Sequence, residues 1–158
     1  MTGVTAGPTP RPLPTARRPW VVLFVDDEPD ILDAIKNLVE FSLEGVEVIA
    51  VETAREALDI LDRERIDLIV SDCKMPGMDG IELLYQCRRL HPNIPRVMLT
   101  AFASEDMARR AAVEAVVDGF LSKNAEPRAL LDALQRLLKY SPSGSRHTQE
   151  ALAGPASS

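Results

Sequence analysis

Charged and hydroxyl side chains stand directly after, or at the end of, four short apolar segments of this chain. Asp26 and Asp27 follow WVVLFV, Asp72 ends DLIVSD, Thr100 ends RVMLT and Lys123 ends GFLSK. Two carboxylates about 4 Å apart repel each other by roughly 4 kcal/mol at an effective dielectric constant of about 20. The adjacent pair after the first segment therefore needs solvent or a cation to offset its repulsion.

Five apolar segments predict β-strands, over residues 20–25, 46–51, 67–72, 96–100 and 119–123. Several of them are continuously apolar, which is typical of parallel strands covered on both faces. A segment of helical length follows each one, the fourth and fifth over about Ser104–Val116 and Pro127–Lys139. The second is predicted to begin at Thr53, with Glu56 completing a capping box. Five successive βα units predict an α/β fold: a doubly wound, five-stranded parallel sheet in a three-layer sandwich.

In an open parallel sheet, ligands bind beyond the carboxyl ends of the strands. Three carboxylates, one hydroxyl and one ammonium group are expected to meet at that edge. Mg²⁺ prefers oxygen ligands and is commonly held by one or two carboxylates together with a phosphate. A carboxylate beside Mg²⁺ and a lysine can attack phosphorus and form an aspartyl phosphate. The residues therefore predict phosphoryl chemistry with Mg²⁺ as the cofactor.

Four segments together resemble the receiver domain of bacterial two-component response regulators: VDDEP (25–29), DLIVSDCKMPGMDGIELL (67–84), VMLTA (97–101) and DGFLSK (118–123). The resemblance covers about residues 20–140. It implies a flavodoxin-like sheet with strand order 2-1-3-4-5.

The same resemblance implies a role for each site residue. Asp72 would be the phosphoryl acceptor, and Lys123 would pair with the phosphate. Asp26, Asp27, Asp72 and the backbone carbonyl of Lys74 would be the metal ligands.

The expected switch consists of Thr100, which moves towards the phosphoryl group, and Phe120, which fills the vacated space. It would act on the face formed by the fourth helix, the fifth strand and the fifth helix. The partners implied are a sensor histidine kinase or phosphotransfer protein as donor and a downstream target protein. A weak homodimer through the same face is also expected.

The expectation for function is thus a single-domain, chemotaxis-regulator-like response regulator. It would promote its own phosphorylation and dephosphorylation and catalyse no other reaction. The alternative is an adaptor with the same fold that works without phosphorylation. Asn124 favours that alternative, because the family usually has a proline in a cis peptide directly after the lysine. We therefore expect either a trans loop or a strained one at this point.

Each site residue also has a plainer interpretation. Asp26 and Asp27 alone could cap a helix, Thr100 could be an ordinary strand residue, and Lys123 could be a solvated surface lysine. Phe120 could simply be a core aromatic. Two enzyme classes fit poorly: a flavin phosphate would be repelled by DDEPD, and a haloacid-dehalogenase-type phosphatase needs an acid where Lys74 stands.

Composition limits the remaining classes. The net charge is -6, with 24 acidic against 18 basic residues, so a nucleic-acid partner is not expected. No apolar run approaches the roughly 18 residues of a membrane helix, and no signal peptide is recognisable, so the predicted location is cytoplasmic and away from membranes. Cys73 and Cys87 are expected to be buried and unpaired. Residues 1–19, rich in proline and arginine, and 141–158 are predicted to be disordered tails flanking a domain over 20–140.

Overall fold

The computed structural model describes residues 18–101 and 117–139. Strands and helices alternate along these residues. They are β1 (Trp20–Val25), α1 (Pro29–Ser42), β2 (Val46–Val51), α2 (Ala54–Arg63), β3 (Leu68–Asp72), α3 (Gly80–Leu90), β4 (Arg96–Thr100), β5 (Gly119–Ser122) and α4 (Pro127–Lys139). The predicted helix over 104–116 lies outside the described residues, as do most of the two predicted tails.

The five strands form one parallel sheet in the order β2-β1-β3-β4-β5. The predicted α/β fold class and strand order are therefore confirmed. The order reverses at β1, which lies between β2 and β3. At such a reversal the chain leaves two neighbouring strands in opposite directions, and a crevice opens beyond their carboxyl ends.

Two apolar clusters cover the two faces of the sheet. Leu23, Ile69 and Met98 face α2 and α3 on one side, and Phe24 and Val70 belong to the cluster that α1 and α4 cover on the other. Alternate residues of one strand thus enter opposite clusters, as strand geometry requires. This explains why β1, β3 and β4 had to be apolar almost throughout.

Polar side chains determine where two of the helices begin. Thr53 accepts a hydrogen bond from the Glu56 N–H, at 3.1 Å, as the predicted capping box requires. The Glu56 carboxylate accepts from the Glu52 N–H, at 3.2 Å, one residue earlier than in the standard box. Asp79 caps α3 in the same way, by accepting from the Glu82 N–H.

The outer edge of the sheet at β2 is covered by α1. Lys36 Nζ donates to the Val48 carbonyl and Glu40 accepts from the Val48 N–H, both at 2.8 Å. Both polar groups of one edge residue therefore have partners, which makes that part of the edge unavailable to another strand.

The cysteines agree with their prediction, since Cys73 and Cys87 are buried and neither forms a disulfide bond. None of the helices within 18–101 and 117–139 has the length and apolar character needed to cross a lipid bilayer.

Candidate functional site

The carboxyl ends of β1, β3, β4 and β5 deliver the predicted site residues to one edge of the sheet. Asp26 and Asp27 directly follow β1, Asp72 ends β3 and Thr100 ends β4. Lys123 is the first residue after β5, and its N–H donates to the Thr100 carbonyl at 3.0 Å. The strand itself ends at Ser122, one residue before the predicted end.

The three carboxylates among these residues form a compact cluster. One carboxylate oxygen from each of Asp26, Asp27 and Asp72 lies within 4.8 Å of the others. Asp26 and Asp72 are buried, with 2% and 8% of their surface exposed, while Asp27 is exposed. The cluster therefore has an inner wall inside the protein and an open side facing solvent.

The Lys123 ammonium group lies beside this cluster. Its Nζ is 2.6 Å from Asp26 Oδ2 and 3.4 Å from Asp72 Oδ2. A third acid, Glu28, reaches the same ammonium with its Oε1 at 3.5 Å. Lys123 is therefore not a solvated surface lysine, and it offsets part of the repulsion among the acids.

Asp26 does not act as a helix cap. Its Oδ1 accepts a hydrogen bond from the Glu28 N–H at 2.9 Å, and α1 begins at Pro29 without any side-chain cap bond. The bond fixes the turn that follows β1, and the other oxygen of Asp26 is left to face the ammonium. The plainer interpretation of the acidic pair is thus wrong for Asp26.

Burial and charge shift the proton affinities at the centre of the site. Burial, followed by the negative charge of Asp26, raises the pKa of the Asp72 carboxyl above its ordinary value, although Lys123 acts in the opposite direction. Burial also tends to lower the pKa of Lys123, but its hydrogen bond and charge pairing with Asp26, supported by Asp72, outweigh this and raise it. Asp72 is therefore a carboxylate whose ionised form depends on nearby positive charge.

The β3–α3 loop fixes the Asp72 carboxylate through a backbone hydrogen bond. The Cys73 N–H donates to Asp72 Oδ1 at 2.8 Å, and the Gly80 N–H donates to the Cys73 carbonyl, also at 2.8 Å. A Cβ atom on Gly80 would collide with the backbone carbonyl of Asp72. This requirement for glycine at position 80 was not predicted from the sequence.

The two residues predicted to form a switch differ in their surroundings. Thr100 is buried and pairs in register with Ser122. Phe120 is half-buried and packs against the core cluster on the α2–α3 side of the sheet. Its plainer role as a core aromatic is compatible with these contacts, and its role in switching stays a prediction.

The Lys74 side chain is exposed on the loop after Asp72, and the metal-ligand role of its backbone carbonyl stays a prediction. The loop after Lys123 is of the trans kind, because every peptide bond within the described residues is trans. Asn124 therefore follows the lysine without the cis peptide that is usual in the family.

The donor set suits a hard divalent cation. Three carboxylates offer oxygen ligands only, and two of them, Asp26 and Asp72, share the Lys123 ammonium group with Glu28. Mg²⁺ is bound by such oxygens and tolerates an open side at which water completes its coordination. Asp26, Asp27 and Asp72 are the residues that would hold it.

A family model for the response regulator receiver domain matches residues 22–135. The chain therefore belongs to the receiver domains of response regulators. It is 37% identical over 136 residues to the response regulator protein FleR of Pseudomonas aeruginosa, a match that covers 86% of this chain and 28% of FleR. It is also 38% identical over 117 residues to an uncharacterized 14.6 kDa protein of Leptolyngbya boryana, with 73% of this chain and 87% of that protein covered.

Solved structures agree with this assignment. A CheY-like receiver domain protein from Methanospirillum hungatei matches with a TM-score of 0.71 and 34% identity, covering 77% of this chain and 94% of that one. The chemotaxis response regulator CheY4 of Vibrio cholerae matches with a TM-score of 0.67 and 31% identity, covering 75% and 98%. Receiver domains are signalling modules. The chain spans less than a third of the length of FleR.

Proposed function

We propose that this chain is a receiver that accepts a phosphoryl group on Asp72 and uses it to switch its binding to another protein. The observation that carries the proposal is the meeting of Lys123 with Asp26 and Asp72 at the edge where the sheet order reverses. A buried carboxylate flanked by an ammonium group and by further acids is what phosphoryl transfer to an aspartate requires.

In the proposed reaction, a carboxylate oxygen of Asp72 attacks the phosphorus of a phosphohistidine on the donor protein. The P–O bond forms while the P–N bond breaks, and the electron pair of that bond stays on the imidazole nitrogen, which takes up a proton. Lys123 faces the transferred group and neutralises charge on its oxygens. The donor class, a histidine kinase or a phosphotransfer protein, is part of the proposal.

Mg²⁺ bound by Asp26, Asp27 and Asp72, with the carbonyl of Lys74, would supply further positive charge at the phosphoryl oxygens. The protein residues have their own tasks around it. Asp26 is held by the Glu28 N–H and keeps Lys123 in place. Of these three aspartates only Asp27 is exposed, so it is the one a cation arriving from solvent can reach first.

The reaction is reversed by water, whose oxygen attacks phosphorus, so that the bond to Asp72 breaks and inorganic phosphate leaves. While the phosphoryl group is present, it adds close to two negative charges at one strand end. The Thr100 hydroxyl would donate a hydrogen bond to this group, and Phe120 would move into the space that Thr100 vacates. These movements would shift an equilibrium between two states of the chain.

The single-domain arrangement is also part of the proposal. The Leptolyngbya protein is covered to 87% of its length by this chain, which gives one relative of comparable size. FleR is covered to only 28%, so larger arrangements of the same domain also occur. The mass of the protein isolated from its own cells would decide between the two.

Intact-protein mass spectrometry after incubation with acetyl phosphate and Mg²⁺ tests the chemistry. We expect the wild-type protein to gain the mass of one phosphoryl group and Asp72→Asn to gain none. Asp33→Asn is a matched control, because Asp33 is an exposed aspartate on α1. If the wild type gains nothing, or if Asp72→Asn is modified equally, the assignment of Asp72 is wrong.

A pull-down with and without the phosphodonor separates the switch from the adaptor. If the chain is a switch, the wild type retains different partners with and without the phosphodonor, whereas Asp72→Asn retains identical ones. Identical partners for both proteins in both conditions would favour the adaptor.

A further inference from the structure

The loop that carries Lys123 has little support from the sheet. β5 contains only four residues and lies at the edge of the sheet, where its described neighbour is β4. Ser122 and Asn124, on either side of the lysine, are both exposed. Nevertheless the Lys123 ammonium group is held 2.6 Å from the buried Asp26 carboxylate.

Two sets of hydrogen bonds hold this loop. Within the loop, the Asn124 N–H donates to Ser122 Oγ at 3.0 Å and the Ala125 N–H donates to the Ser122 carbonyl at 3.1 Å. Towards the neighbouring strand, the Lys123 N–H reaches the Thr100 carbonyl at 3.0 Å, and Asn124 Nδ2 donates to the Ala101 carbonyl at 3.3 Å. The Asn124 amide thus extends the pairing of β5 with β4 by one step, beyond the end of the strand.

We propose that Asn124 is a positioning residue for Lys123. Its side-chain amide fastens the lysine loop to the carbonyl that directly follows Thr100, so the ends of β4 and β5 stay together. An amide is suited to this task because it can donate to a backbone carbonyl, whereas a carboxylate of the same size cannot. The consequence for phosphorylation rests on the function proposed above. The hydrogen bond from Asn124 to the Ala101 carbonyl, which we call the tether, does not.

The expected effect is moderate. A neutral hydrogen bond at an exposed position contributes enough to change an equilibrium by about 3- to 10-fold. Without this bond the loop would occupy positions in which the ammonium group no longer faces Asp72. We therefore expect phosphoryl transfer to slow by up to the same factor, about 3- to 10-fold.

The experiment compares Asn124→Ala and Asn124→Asp with wild type. Asn93→Ala is the matched control, because Asn93 is an exposed asparagine in the loop before β4. The first measurement is hydrogen exchange at the Lys123 amide, which should be faster in both Asn124 variants and unchanged in the control. The second is the maximal rate of phosphorylation by acetyl phosphate with Mg²⁺, which should fall in the Asn124 variants only.

The affinity for Mg²⁺, measured by calorimetry, separates positioning from general loss of structure. It should not fall in Asn124→Ala, because the three aspartates are intact, whereas a damaged site would lose both affinity and rate. Unchanged exchange at Lys123 in both variants overturns the tether. If the wild type itself takes up no phosphoryl group, the proposed function fails and the exchange measurement alone decides the role of Asn124.

Discussion

Replacing Lys123 by methionine tests how the acidic cluster is balanced. Methionine keeps much of the length and apolar stem of lysine but removes the ammonium group. Asp26 and Asp72 are then left buried beside each other, with 2% and 8% of their surface exposed. The variant should therefore be less stable than the wild type in the absence of divalent cations.

The magnitude follows from two distances. At an effective dielectric constant of about 20, the contact at 2.6 Å to Asp26 contributes roughly 6 kcal/mol and the contact at 3.4 Å to Asp72 roughly 5 kcal/mol. Dehydration of the three groups cancels most of this gain, and breaking a buried pair commonly leaves a loss of about 3–5 kcal/mol. Because the cluster is open on the side of Asp27, we expect a loss at the lower end, about 3 kcal/mol.

Thermal unfolding followed by circular dichroism measures this loss, which should lower Tm by about 10 °C. Mg²⁺ should raise Tm more in Lys123→Met than in the wild type, because the cation then replaces the missing ammonium group and meets no positive charge. Lys139→Met, at the exposed end of α4, is the control and should change little. A Lys123→Met protein as stable as the wild type without Mg²⁺ would refute the reasoning.

Three further changes test the site and two structural contacts away from its centre. Asp72→Asn should raise Tm at neutral pH. The Asp72 carboxyl has a higher pKa in the folded than in the unfolded protein, so its protonation favours the folded state at low pH. That contribution is lost as pH rises from 3.8, the ordinary pKa, through the pKa of the folded state. The gain in Tm should therefore vanish near pH 3, and a gain independent of pH would contradict this. Gly80→Ala should destabilise by about 3 kcal/mol in urea unfolding, because β3 or α3 must shift. Gly119→Ala, with open space around its Cβ, should change stability by only about 1 kcal/mol or less, and equal losses in the two variants would contradict the collision. The hydrogen bond from the Val48 N–H is the main reason that the pKa of Glu40 is lowered in the folded protein. Glu40→Gln should therefore have a smaller free energy of unfolding than the wild type at neutral pH, and this difference should disappear as pH falls through the lowered pKa.

Much of the fold was predictable because its main signals are local. Continuous apolar runs indicated buried parallel strands, and the observed bounds of β1, β2 and β4 equal the predicted ones. Thr53 indicated a helix start through a bond that spans three residues. The convergence of the site residues followed from one further rule, that parallel strands end at the same edge.

The parts that were missed depend on loops. Nothing in the acidic run distinguishes Glu28 from a solvated helix start, yet its carboxylate reaches Lys123 because the turn after β1 directs it there. The need for glycine at Gly80 arises from the close approach of α3 to the end of β3. Asn124 could be recognised as a departure from the family pattern, but its bond to Ala101 depends on how two loops lie side by side.

Asp26 and Asp27 are adjacent in the sequence, but they have different environments. Asp26 is buried, with one oxygen fixed by the Glu28 N–H and the other facing Lys123. Asp27 is exposed, and one of its oxygens still lies within 4.8 Å of ligand atoms on Asp26 and Asp72. Asp26 therefore has an internal counter-charge in Lys123, while Asp27 is open to solvent. The repulsion between neighbouring carboxylates is thus offset by Lys123 on the side of Asp26 and by solvent, or the cation proposed above, on the side of Asp27.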